Sequence, residues 1–185
     1  KPARSGERAP VAPGAGVLRM KDVDAADAPR LLTGLSDVDR VLGGGLVPGS
    51  VVLLGGEPGI GKSTLLLQVA ARLAGGGAGE VLYVSAEESA RQVRLRADRL
   101  DAVVDGLHLL AETSVDRVLE AAASRPWAAL VVDSIQTVSS PDLPSTPGSV
   151  SQVRDAAARL SVFAKTGGTP VVLVGHVTKD GTLAG

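Results

Sequence analysis

From Val51 to His176, short apolar runs alternate with stretches in which apolar residues recur every three or four positions. The runs VVLLG (51–55), EVLYVS (80–85), LHLL (107–110), AALVVD (128–133) and PVVLVGH (170–176) read as strands. Leu65, Leu66, Val69, Ala70 and Leu73 form a helical stripe closed by Gly75-Gly76-Gly77, and Val93, Ala97 and Leu100 mark a second helix from Ser89 to Leu100. Val115, Val118, Leu119 and Ala122 mark a third, and Val153, Ala157, Leu160 and Ala164 a fourth that Gly167-Gly168 stops. Thr113 with Asp116, and Ser149 with Gln152, have the spacing of capping boxes at the last two starts. Wholly apolar strands separated by helices predict an α/β chain with a mainly parallel central sheet and helices on both faces. In such sheets ligands sit at the carboxyl ends of the strands.

Residues 1–16 are rich in Pro, Gly, Ala and Arg and lack periodicity. They read as a flexible linker that suggests a further segment upstream, with 17–185 as the folded domain. Aromatics make up only 2% of the 185 residues, so the core is built from Val, Leu and Ala. With no Cys there is no disulfide framework, thiolate metal site or cysteine nucleophile, which fits a reducing compartment; the cytoplasm is the expected address. The net charge of −1 lacks the basic surplus of a free-standing nucleic-acid binder. DNA contact would therefore come from a local loop or from several copies together. No apolar run approaches the roughly 20 residues of a membrane span, and the basic N-terminus has no apolar core after it as a secretory signal requires.

The densest chemistry lies in LLGGEPGIGKSTLLLQ (53–68). Gly56, Glu57, Pro58, Gly59, Ile60, Gly61, Lys62 and Ser63 form a Gly-x-x-x-x-Gly-Lys-Ser loop between a strand and a helix. The glycines let successive N–H groups turn inward on a phosphate chain, and the helix N-terminus adds partial positive charge. In this pattern Lys62 reaches the β- and γ-phosphates, the Ser63 hydroxyl ligates Mg²⁺, and Thr64 supports the α-phosphate side. Asp133, closing ALVVD, is the natural partner for Mg²⁺, holding it directly or through a water.

The strand ending in Ser85 runs into Ala86-Glu87-Glu88 at the same sheet edge. A carboxylate there can orient and polarise a water for in-line attack on a γ-phosphorus, which a small-molecule kinase has no need of. Glu87 is the expected base, with Glu88 a supporting or alternative carboxylate; both also suit a helix N-terminus. His176 ends the fifth strand, placed to donate to a γ-phosphate and report it to the following VTKDGTLAG, or to act only as a satisfied polar residue. His108 and Trp127 read as packing, and Arg91, Arg94, Arg96 and Arg99 spread around a helix as a solvated, salt-bridging surface. A switch GTPase would need Asp-x-x-Gly and Asn-Lys-x-Asp, where this chain has Asp133-Ser134-Ile135-Gln136 and Thr178-Lys179-Asp180. The Ser-Gly-Gly-Gln signature of ABC-type ATPases is missing as well.

TGLSDVDRVLGGGLVPGS (33–50) directly before the phosphate loop resembles the lead-in of RecA-like ATPases, especially their RadA/KaiC branch. With YVSAEES (83–89), LLAETS (109–114), VVDSIQT (131–137), PGSVSQVRDAAARL (147–160) and FAKTGGTPVVLVGHVTKDGTLAG (163–185), the chain is similar to the ATPase core of the bacterial RadA (Sms) family of DNA repair proteins. The resemblance runs from about residue 18 to the end. It implies a RecA-like P-loop fold and a motor that hydrolyses ATP with Mg²⁺, binds single-stranded DNA, and drives branch migration of recombination intermediates. It also implies a homo-hexamer in the full-length protein and a RecA-type recombinase as a partner. Glu87 becomes the catalytic carboxylate, His176 the sensor, and residues 138–149 and 177–185 the DNA-contacting loops, with Lys179 their one base. The family's zinc belongs to an N-terminal four-cysteine finger, which this cysteine-free chain does not carry. A Lys-Asn-Arg-Phe-Gly motif and a Lon-protease-like domain are expected to follow Gly185. That motif acts in trans and such a finger is worth about 10³–10⁵ in rate, so this stretch alone is expected to bind nucleotide well and turn it over slowly. A KaiC-like regulatory ATPase that acts on a protein partner without DNA is the alternative reading, and a nucleotide-binding assembly module a third.

Overall fold

The computed structural model describes residues 19–22 and 29–176. Lys179, the rest of 177–185 and the 1–16 linker lie outside them. After a short lead-in with α1 (Ser36–Val41), the chain alternates β1 (Val51–Gly56), α2 (Lys62–Gly75), β2 (Val81–Ser85), α3 (Ala90–Arg99), β3 (Leu107–Ala111), α4 (Val115–Ala123), β4 (Ala129–Asp133), α5 (Val150–Gly167) and β5 (Val171–His176). The five strands pair in the order β1-β5-β4-β2-β3, every pair parallel. This is the mainly parallel α/β sheet that the alternation predicts.

Side chains of a strand alternate between its faces, and here the alternation divides the core in two. Val81, Tyr83, Ala129, Val131, Val172 and Val174 pack under α2 and α3. Leu82, Val84, Leu130, Val132, Val171 and Leu173 pack under α4 and α5. Because β2, β4 and β5 have helices on both sides, they are buried along almost their whole length. The two edge strands, each with one neighbour, are more open: Leu53 of β1 is 46% exposed and Leu109 of β3 38%.

The lead-in LLTGLSDVDRVLGGGL (31–46) closes on itself through paired Leu31 and Leu46 backbone bonds of 2.8 Å. Gly45 makes that closure possible, because a Cβ there would stand 2.5 Å from the Leu31 carbonyl oxygen. Asp39 Oδ1 fixes the turn by accepting from the Thr33 N–H and hydroxyl, both at 2.8 Å. Leu31, Leu35, Val38 and Leu42 then pack against the α2 side of the sheet.

Two expected helix caps are corrected by the structure. Neither Ser114 nor Ser149 caps its helix with a side chain, and Thr113 lies outside α4. Glu112 accepts from the N–H groups of Thr113 and Ser114 instead, and Asp116 pairs with Arg159. Gln152 is 1% exposed and turned inward: its Oε1 accepts from Ser140 N–H at 2.7 Å, and its Nε2 donates to the carbonyls of Ser140, Leu143 and Ser145. The capping spacing here serves a loop rather than a helix end. A complete capping box forms at α3, between Ser89 and Gln92.

Candidate active site

Parallel pairing brings the carboxyl ends of β1, β5, β4 and β2 to one rim. Gly56 lies in register with His176, and Ser85 with Asp133. The four sequence-marked groups, Lys62, Glu87, Asp133 and His176, all lie along that rim.

The phosphate loop leaves β1 and turns through Gly59 (φ +80°) and Gly61 (φ +104°), conformations that a residue with a Cβ rarely adopts. The first bond of α2 runs from Leu65 N–H to the Gly61 carbonyl at 2.9 Å. The N–H groups of Lys62, Ser63 and Thr64 therefore face out of the helix start without an intrahelical acceptor. Glu57, Pro58 and Ile60 form the exposed rim of the loop, while Ser63 and Thr64 are half-buried on the first turn. Lys62 is 7% exposed, and its ammonium folds over its own loop, donating to the Gly56 and Glu57 carbonyls at 2.8 Å each.

Lys62 Nζ also lies 3.4 Å from His176 Nδ1. An ammonium can only donate, so Nδ1 accepts and the ring proton sits on Nε2. Nε2 is 3.0 Å from Glu87 Oε1, to which it donates. Ser134 Oγ donates to the same oxygen. Burial pushes the Glu87 carboxyl up, but the bonds from Ser134 and His176 and the charge of Lys62 outweigh it and hold the group below its ordinary value. Lys62, His176 and Glu87 thus form one hydrogen-bonded chain between the phosphate loop and the end of β2.

Asp133 is 7% exposed, and its Oδ2 accepts from the Tyr83 hydroxyl at 2.6 Å. Tyr83 pairs with Val131 across the β2–β4 register, one diagonal step from Asp133 on the same face, within reach of a phenol. Burial and the neighbouring Asp133 charge push the Tyr83 hydroxyl far up, so it stays protonated and donates. The Asp133–Ser134 peptide is cis.

Glu88 is not brought to this chain of contacts. Ser85 Oγ donates to the Glu88 carbonyl at 2.9 Å and accepts its N–H at 3.2 Å, and the Glu88 carboxylate turns back to pair with Arg96 of α3. Arg94 pairs with Asp98 at 3.0 Å, so half of the arginine quartet is salt-bridged. His108 and Trp127 lie at the opposite ends of the strands, packed edge to face at 5.2 Å, with His108 also 3.1 Å from Glu80.

Beside Glu87 an open cavity of about 500 Å³ is lined by Ala86, Thr113, Gln136, Gly148 and His176. Gln136 donates to the His176 carbonyl at 3.3 Å while its buried Oε1 takes no partner among the described residues. The loop over 138–149 is stapled down by Gln152 and by the Ser139–Thr113 backbone bond of 2.8 Å; it carries Asp142 and no base. Ser134 and Tyr83 are the contacts of Glu87 and Asp133 that sequence reading passed over, and Gln152 was read there as a helix cap. Ser134 and Tyr83 were legible only as neighbours of Asp133 once the β2–β4 register was known.

The chain is 53% identical over 163 residues to the DNA repair protein RadA of Bacillus subtilis, and 50% identical over 171 residues to that of Escherichia coli. These alignments take in 88% and 92% of this chain but 35% and 37% of those proteins, so it spans little more than a third of the length of the curated relatives it matches. Among solved structures, the ATPase domain of another protein superposes with a TM-score of 0.63 at 13% identity, covering 85% of this chain and 67% of that one, a likeness of fold. The AAA domain family matches residues 17–182, which include the phosphate loop and every rim residue described above, and the chain belongs to that family.

Proposed function

We propose that this chain is the ATP-hydrolysing core of a DNA-dependent ATPase of the RadA type, in which turnover drives single-stranded DNA binding and branch migration of recombination intermediates. The observation that carries the catalytic half is the Lys62–His176–Glu87 chain, which ties a phosphate-binding lysine to a carboxylate suited to orient water. The DNA half rests on similarity to the RadA repair proteins.

The residues present fit a magnesium triphosphate. The loop supplies unpaired N–H groups at a helix start, a site that favours anions. Among the described residues no cluster of three or more acids or histidines could cage a metal. That suits Mg²⁺, which keeps waters and shares one or two protein ligands with substrate phosphates; Ser63 and Asp133 would hold it. Held there, Mg²⁺ would supply neutralisation of the negative charge on the phosphates. On this reading the N–H groups of the loop bind the phosphate chain, and Lys62 exchanges its two carbonyl acceptors for β- and γ-oxygens. Glu87 orients the attacking water and receives its proton, and His176 turns to the γ-phosphate and reports it. The protein works as a homo-hexamer in the cytoplasm alongside a RecA-type recombinase. DNA phosphates meeting 138–149 would find hydroxyls and backbone N–H groups rather than cations, so contact by a single copy is weak.

Nucleotide turnover of the intact protein with and without single-stranded DNA tests the reading. DNA is expected to accelerate turnover, and Glu87→Gln to retain ATP binding while losing roughly 10²–10⁴-fold in rate. Turnover indifferent to DNA but responsive to a protein partner would favour the KaiC-like alternative; an unimpaired Glu87→Gln would remove the motor altogether.

A further inference from the structure

Two donors converge on one oxygen of Glu87. Ser134 Oγ and His176 Nε2 both bond Oε1, whereas Oε2 takes no hydrogen bond among the described residues. The donors differ in permanence. His176 is about a quarter exposed at its side chain and is shared with Lys62, so a nucleotide that claims Lys62 also disturbs His176. Ser134 is fully buried at the end of β4, and the turn that follows locks it: the Thr137 hydroxyl donates to the Ser134 carbonyl at 2.9 Å. The Glu87 side chain is 38% exposed and sits on no strand or helix, so little else confines its torsions.

We propose that Ser134 is a positioning residue for the hydrolytic reaction: its hydroxyl pins Oε1 of Glu87 and leaves Oε2 to face the attacking water. The proposal rests on the reading of Glu87 as the water-orienting carboxylate. His176 is the conditional restraint, released when it turns to a phosphate, and Ser134 is the one that persists through the reaction. A serine that merely found the nearest acceptor for its own buried hydroxyl would matter for folding and not for chemistry, and the two roles separate experimentally.

The experiment is steady-state ATP turnover by the intact protein carrying Ser134→Ala, Ser134→Thr, Glu87→Gln and the Ser134→Ala/Glu87→Gln pair, each checked for folding by thermal melting and for binding with a fluorescent ATP analogue. A carboxylate freed by about an ångström loses up to 10²-fold in rate, so Ser134→Ala is expected to lower kcat about 10–100-fold. KM moves less than about threefold, since ground-state binding is untouched. Ser134→Thr keeps the hydroxyl and restores most of the rate. On the Glu87→Gln background Ser134→Ala costs nothing further, because a residue that acts through Glu87 has nothing left to position. If the alanine variant unfolds, Ser134→Cys, with its weaker donor, reads the same loss. Wild-type kcat in the alanine or cysteine variant beside an inactive Glu87→Gln overturns the proposal alone, as does an undiminished Ser134→Ala effect in the double variant. Full turnover by Glu87→Gln overturns the underlying reading and the proposal with it.

Discussion

Replacing Gln152 by leucine removes an amide of nearly the same size from the inner face of α5, so the effect isolates hydrogen bonding from cavity formation. The side chain is 1% exposed and serves four backbone groups: Ser140 N–H at 2.7 Å and the carbonyls of Ser140, Leu143 and Ser145 at 3.2, 3.3 and 2.9 Å. An amide has two hydrogens, so its three carbonyl contacts include a shared proton and count as about two bonds. Three effective bonds at about 1 kcal/mol each, with Ser140 N–H left buried, give a loss of about 2–4 kcal/mol. For a chain of this size each kcal/mol moves Tm by about 2–4 °C, so Gln152→Leu should melt roughly 4–16 °C lower. Trp127, the single tryptophan, is packed in the same half of the core as α5 and reports global unfolding by fluorescence in urea. Hydrogen exchange over 138–149 reports the local opening, with the Ser140 amide the first to lose protection. If Gln152→Leu kept both its urea midpoint and the protection of Ser140, the loop would not be stapled in this way. The reasoning that separates Gln152 from helix capping would then fail.

Other consequences follow from the same contacts. Tyr83→Phe withdraws the hydroxyl from buried Asp133 and should cost about 1.5–3 kcal/mol in urea unfolding, falling to about 1 kcal/mol in an Asp133→Asn background where no charge is left; equal costs in both backgrounds would refute a charge-assisted bond. Glu88→Gln should leave kcat within about threefold of wild type, because its carboxylate is engaged with Arg96, and a loss matching that of Glu87→Gln would return Glu88 to the chemistry. The pH dependence of Glu87 has a fixed sign. Its folded value lies below the ordinary 4.5, so the stability it contributes is complete above that pH and is lost as pH falls through the lower, folded value. The difference in urea midpoint between wild type and Glu87→Gln should therefore be constant from neutral pH to about 5 and shrink below 4.5; a difference that grew on acidification would contradict it.

The order of elements was legible because each obeys a single period. Strands with no polar break announce a sheet covered on both sides, and β2, β4 and β5 fulfil this. Period does not encode position in the sheet, so the exposure of Leu53 and Leu109 could not be read from runs as apolar as their neighbours. Capping spacings misled for a related reason. Ser or Thr followed three residues later by Gln or an acid is a local pattern, and at α4 and α5 longer-range partners took the third residue: Arg159 for Asp116, and the 140–145 backbone for Gln152. At α3, where no such partner competes, the same pattern did form a capping box.

The site divides along the same line. Its proposed phosphate-binding part is contiguous, since one turn of backbone supplies the N–H groups and Lys62, and a contiguous part is spelled out in sequence. Its proposed hydrolytic part is assembled across β5, β4 and β2, which neighbour one another in space although β3 separates β2 from β4 in the chain. Glu87 could be proposed because it follows a strand end, but which residue holds it depends on the neighbour of β2 being β4. Register then sets Ser85 opposite Asp133 and delivers Ser134 to the carboxylate one residue farther on. Tyr83 reaches Asp133 by the same register. A proposed phosphate-binding residue is therefore recognisable from its chain neighbours, whereas one proposed to aim a carboxylate, or one bonded to Asp133, is recognisable only from its sheet neighbours. Ser134 and Tyr83 look in sequence like an ordinary turn residue and an ordinary core aromatic, and only the pairing of β2 with β4 separates them from that description.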